Sequence, residues 1–235
     1  MASVATISAN NDPELGQIIS DAYSMVGKDG VVTVETSQSS KTYSEVVSGM
    51  KLGRGWMSKY FVTDQKKGEA ILEDCYILIS DQEITSLNNI EHLLAPVVQS
   101  GKSILIIAEM SENALNSLNL NRLKGVIRAC AIVPPSFGQM RSEIMEDIAA
   151  ATGARFISDG TGDNLGLVSF TDLGHAQKVV VGKESTIIIT DNDLSDELSL
   201  RIEGIRNNLA EATNEGVKKF LEERLANLAG GVGVI

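Results

Sequence analysis

Seven consecutive residues, Gly160-Thr161-Gly162-Asp163-Asn164-Leu165-Gly166, follow a strand-like run at 154–158 and are the best candidate in this chain for a phosphate-cradling loop. Glycines let backbone amides approach a pyrophosphate, but such a loop must then open a helix whose N-terminal amides face the anion. Residues Leu167 to Asp172 carry no helical stripe, and Asp163 would repel phosphate. A plain turn is therefore expected, with a nucleotide-dependent α/β enzyme domain built on Gly160–Gly166 as the alternative. Asp191-Asn192-Asp193 begins like a calcium loop, yet the sixth position is Asp196 rather than glycine and the twelfth is Ile202 rather than glutamate. That run reads as a cap whose side chains accept the free amides of the helix after it. Acid–base work at neutral pH usually recruits histidine. The two here, His92 and His175, share no spacing with a serine or cysteine that makes a triad. Cys75 and Cys130 sit in apolar runs without C-x-x-C or C-x-x-H neighbours, which reads as two core thiols in a reducing compartment. No catalytic residue, metal site or bound cofactor is expected in this chain.

A different chemistry stands out, that of apolar contact. Aromatic residues make up only 4% of the chain, yet Trp56, Tyr60 and Phe61 fall within six positions, just after Gly53-Arg54-Gly55. Clustered aromatics on a loop supply contact area at low entropic cost. A helix expected over 85–99 carries Leu87, Ile90, Leu93, Leu94, Val97 and Val98 on an arc of roughly 140°, wide enough for a core and a little more. In the helix expected over 112–124, Ala114, Leu115, Leu118 and Leu123 share a stripe, while Leu120 lies about 60° beyond its edge. Leu120 is a candidate exposed leucine that would complete a groove for peptides.

These segments need a frame. Periodicity predicts a helix from Pro13 to Val26, with Leu15, Ile18, Ile19, Ala22 and Met25 on one face, then a strand over 31–35 and a loop over 36–42. The middle of the chain repeats strand and helix: strands at 76–80, 103–108, 126–133 and 154–158, helices at 85–99, 112–124 and 140–151. A hairpin is expected over 178–190, and two amphipathic helices over 194–212 and 215–228. The fold class is α/β, an open and mostly parallel sheet flanked by helices, with additional antiparallel strands and a C-terminal helix pair. The tail Val232-Gly233-Val234-Ile235 reads as a strand left with unpaired backbone groups, as in a piece of a longer protein.

Bulk properties agree. The chain has 235 residues, 43% hydrophobic and 22% charged, enough to bury a core. No apolar run approaches the roughly 18 residues that cross a bilayer, and no export leader is visible. The net charge of -11 disfavours nucleic acid, whose phosphates are bound through Lys and Arg.

Several stretches, collinear along nearly the whole chain, resemble the group I chaperonins (GroEL-type). They are Val4-Ala5-Thr6-Ile7-Ser8-Ala9-Asn10, Val26-Gly27-Lys28-Asp29-Gly30-Val31-Val32-Thr33-Val34-Glu35, and Gly49-Met50 leading to Arg54-Gly55-Trp56. Leu105-Ile106-Ile107-Ala108-Glu109, Phe137-Gly138, Asp147-Ile148-Ala149, Thr152-Gly153 and Leu228-Ala229-Gly230-Gly231-Val232 continue the match. The resemblance implies that residues 1–47 correspond to part of the intermediate domain and 48–233 to the apical domain. It also implies that the equatorial domain, which holds ATP and Mg and makes the ring, is absent.

In that family the apical domain binds non-native polypeptides and the mobile loop of the GroES-type co-chaperonin, in an apolar groove between two helices flanked by an aromatic segment. By position, the resemblance assigns Trp56, Tyr60 and Phe61 to that segment, where the family more often has tyrosine at the first. It assigns Glu91, Leu94 and Val98 to one helix and Leu115, Asn119, Leu120 and Asn121 to the other. Glu91 and Asn119 occupy positions that are usually aliphatic, Gly53 replaces a usual aspartate, and Pro135-Ser136 replaces a usual Pro-Gly. Such divergence implies an unusual member, phage-borne, organellar or a paralogue. Its compartment would be the cytoplasm or an organelle matrix.

Overall fold

A computed structural model describes residues 7, 9, 11–26, 31–33, 42, 44–190 and 195–234. The calcium-like run at 191–193, residues 34–35 of the strand expected over 31–35 and residues 36–41 of the loop expected over 36–42 lie outside them. The chain forms two compact units, residues 51–198 and residues 1–50 with 199–235. In this division residues 199–233, which the resemblance groups with the 48–233 segment, fall with residues 1–50.

The larger sheet runs β3 (Gly49–Leu52), β9 (Thr186–Ile189), β8 (Gly174–Val181), β4 (Ala70–Ser80), β5 (Ser103–Ile107), β6 (Arg128–Ile132), with β7 (Phe156–Ile157) pairing the end of β4. β4, β5, β6 and β7 are parallel, and β8 and β9 are antiparallel additions, so the sheet is mixed. All five residues of β5 are buried, as expected of a strand covered on both faces. Helices α2 (Glu91–Ser100) and α3 (Glu112–Leu123) connect β4 to β5 and β5 to β6; α4 (Gly138–Thr152) returns from β6 to β7. That return reverses direction along the sheet, and a right-handed crossover then lays α4 on the opposite face. Accordingly α4 packs on β4 and β8, while α2 and α3 pack on β5 and β6.

The helix expected from residue 85 is interrupted. Residues Leu87–Ile90 form a 3-10 turn, and the α-helix begins only at Glu91. The cause is local: Ser86 Oγ accepts from Asn88 N, and Asn89 Oδ1 accepts from Ser86 N, closing a capping box one turn early.

In the other unit, α1 (Pro13–Val26) starts on Asp12, whose Oδ1 accepts from the amides of Glu14 and Leu15. It packs on a three-stranded sheet ordered β1 (Val31–Thr33), β10 (Val232–Val234), β2 (Glu45–Val47). Ala22 and Val26 are buried there, but Met25, expected on the same face, is exposed. Helices α5 (Asp196–Glu211) and α6 (Glu215–Ala229) form the C-terminal pair, α6 capped by Asn214 Oδ1. Gly231 turns the chain at φ +66°, where a Cβ would stand 2.9 Å from Val47 O, and delivers β10 between its neighbours. β10 is parallel to β1 and antiparallel to β2. The backbone groups expected to be unpaired are thus paired on both sides, which also ties the C-terminal segment to residues 1–50.

Candidate functional site

The broad apolar arc of the 87–100 segment serves two surfaces. Ile90, Leu93 and Val97 are fully buried against the sheet. Leu87, Leu94 and Val98, on the side of the arc away from Leu93, line one side of a groove. On the other side Val126 is exposed over buried Leu118 of α3 and buried Ile127, and the cavity between measures about 420 Å³. Asn88, Glu91, Gln99 and Asn121 supply its polar lining. Leu94 is only 9% exposed and forms the floor, whereas Val98 and Val126 are exposed at the rim.

Of the residues assigned by resemblance, the structure brings Glu91, Leu94, Val98 and Asn121 together in this groove. Leu115 and Asn119 lie on a different stripe of α3, spaced i, i+4 and i+7 with Arg122. The Arg122 guanidinium donates to the carbonyls of Phe61 and Val62, so this stripe faces the 3-10 turn Lys59–Phe61. Leu120 is 56% exposed on the outer side of α3, as expected, but Leu123, expected in the buried stripe, is equally exposed. Reasoning from the sequence missed Leu118, Val126 and Ile127 as groove walls. Leu118 carried a signal, since it falls next to Asn121 on the helical arc; the other two come from a turn and strand entry with no amphipathic period.

The aromatic segment divides by role. Tyr60 is 52% exposed, in the middle of the turn Lys59–Phe61, where its amide donates to Ser58 Oγ. Phe61 is fully buried, so it anchors the turn and presents no contact surface, a correction to its expected place among the exposed aromatics. Trp56 is also structural: its amide donates to Gly182 O, its indole Nε1 to Gly68 O, and its backbone bridges Ile132. Gly55 beside it has no room for a side chain, since a Cβ would come within 2.1 Å of Lys183 O.

The glycine loop is closed on itself. The amides of Ser158 and Asp159 donate to the carboxylates of Asp163 and Asp81, and that of Gly160 to Ser158 Oγ. Those of Leu165 and Gly166 donate to Gln82 Oε1 and Asn164 Oδ1. Thr161, Gly162 and Asp163 use their amides within the turn. Three 3-10 turns, not a helix, follow the strand. A phosphate would find these donors already taken. The Thr161 hydroxyl, the Ser158 amide and the Arg155 guanidinium hold the Asp163 carboxyl below its usual range.

The histidines are separately engaged, His92 Nε2 at 3.0 Å from Val168 O and His175 Nε2 at 2.6 Å from Asp74 Oδ1. Cys75 and Cys130 are buried, and burial pushes both thiols up, away from reactive thiolate. Among the described residues no group of three or more His, Cys, Asp or Glu is placed to hold a metal ion. None of the described helices is long and apolar enough to cross a membrane. No family model matches this chain.

Proposed function

We propose that the unit at 51–198 is a polypeptide-capture module, similar to the apical domain of a group I chaperonin. On this reading it holds exposed apolar segments of non-native polypeptides, and the mobile loop of a GroES-type co-chaperonin, in the groove between the 87–100 segment and α3. The observation that carries it is the groove itself, which exposes Val98 and Val126 at its rim with half-buried Leu87 beside them, over a floor of buried Leu94, Leu118 and Ile127. Unfolded chains expose aliphatic side chains, and removing them from water is favourable by about 25 cal/mol per Å². A cleft of about 420 Å³ takes a few such side chains, and non-directional contact with its aliphatic part tolerates many sequences. On this reading ATP, Mg and ring assembly belong to the family's equatorial domain, not to the capture groove. Ring display would add avidity that one copy lacks, so affinity here is modest.

The test is a titration of the 235-residue chain with a denatured client, with and without a co-chaperonin loop peptide. Mutual exclusion, together with weakening by Val98→Ser and Leu94→Ser, is the expected result. Capture unaffected by both substitutions would sink the proposal.

A further inference from the structure

Building on that reading, we propose that the groove selects among apolar segments by charge, preferring aliphatic stretches flanked by Lys or Arg, with the cation seated on Glu91. Glu91 opens α2 and falls on the same helical arc as Leu87, Leu94 and Val98, so a segment lying on those side chains passes over its carboxylate. Among the described residues Glu91 is exposed and has no hydrogen bond or ion pair. The rest of the polar lining is neutral amide, Asn88, Gln99 and Asn121, and no Lys or Arg lines the cavity. Part of that amide capacity is already used, since Asn121 Nδ2 donates to Ser117 O.

An occupant therefore meets one uncompensated anion. A neutral apolar segment covering Glu91 desolvates it without a partner, which is unfavourable. An acidic flank adds like-charge repulsion, whereas a Lys or Arg flank replaces the lost hydration. The chain's net charge of -11 favours basic segments from a distance, but salt screens that field within about 8–10 Å. Discrimination at physiological salt thus falls to Glu91. A partly exposed pair gives about a two- to five-fold preference.

Three labelled peptides of about 12 residues, sharing one aliphatic centre and flanked by Lys, Gln or Glu, test this by fluorescence anisotropy at about 150 mM salt. The expected order of affinity is Lys, then Gln, then Glu, with the Lys-to-Glu ratio falling below about two-fold in Glu91→Gln. Glu184→Gln, an equal charge change at the exposed hairpin turn between β8 and β9, should preserve the ratio. If Val98→Ser and Leu94→Ser weaken all three peptides yet Glu91→Gln leaves the ratio intact, the groove reading stands and the charge preference is wrong. If those two leave every peptide unaffected, capture occurs elsewhere and both fall.

Discussion

Arg122 Nη2 donates to the carbonyl oxygen of Val62 at 2.9 Å and also reaches that of Phe61 at 3.4 Å. A single side chain on α3 thus holds the turn that exposes Tyr60 and buries Phe61. The position of the aromatic segment is set by this cationic clamp, together with the Trp56 anchors to Gly182 and Gly68.

Removing the clamp should loosen the turn before it unfolds the unit. Arg122→Met keeps the aliphatic stem but loses hydrogen bonds from a charged donor, worth about 1.5–3 kcal/mol in part-buried settings. Amide exchange at Tyr60, Phe61 and Val62 should quicken more than exchange in β5. Equal protection of the turn in both proteins would show that it is held without Arg122.

Neighbouring leucines on α3 should behave oppositely. Leu118 is fully buried between groove and sheet, and Leu118→Ala should cost about 2–5 kcal/mol in urea unfolding. Leu120, two residues on and 56% exposed, should change stability by no more than about 0.5 kcal/mol on Leu120→Ala. Comparable losses would mean that α3 is rotated from its orientation here.

Acid should release the glycine loop. Asp163 is held below the usual carboxylate value of 3.8, first by the Thr161 hydroxyl, then by the Ser158 amide. A carboxyl lowered in the folded state contributes stability that is full above 3.8 and is lost as pH falls through the folded value. Asp163→Asn should therefore be less stable than the parent at pH 7, and the gap should narrow below about pH 4. Asp74, lowered by His175 and Lys102, has the same sign and leaves a residual acid sensitivity in the variant. A stability gap independent of pH would remove the carboxylate from the account.

Much of the frame was legible because it is local. Pro13 after Asp12 marks the start of α1, and the unbroken apolar run Ile104–Ala108 marks a strand covered on both faces. The apolar arc of the 87–98 segment was legible as wide enough for a core and a little more, which by itself does not mark a groove, and Asp163 already argued against a phosphate loop. What escaped depends on distant partners. Nothing near Trp56 says that it bonds Gly182 and Gly68, so its aromatic neighbourhood reads as open surface. Met25 and Leu123 fit their helical periods yet are exposed, because period fixes a face and not how far the neighbouring layer extends over it. The tail strand reads as unpaired because β1 and β2 lie about 200 residues earlier in the chain.

Asn119 carries the remaining strain on α3. Its side chain is 6% exposed, facing the Tyr60 turn, and its Oδ1 has no hydrogen-bond partner among the described residues. A buried acceptor left unpaired forfeits its hydration, about 1–3 kcal/mol, whereas an apolar group of similar size forfeits nothing. Asn119→Leu should stabilise the chain by about 1 kcal/mol and raise its melting temperature by about 2–4 °C. Asn119→Asp, which places a charge in the same site, should destabilise it by more than Asn119→Leu gains. If Leu lowers the melting temperature, the site holds a donor for Oδ1, a bound water or a moved side chain, and the polar residue serves the fold.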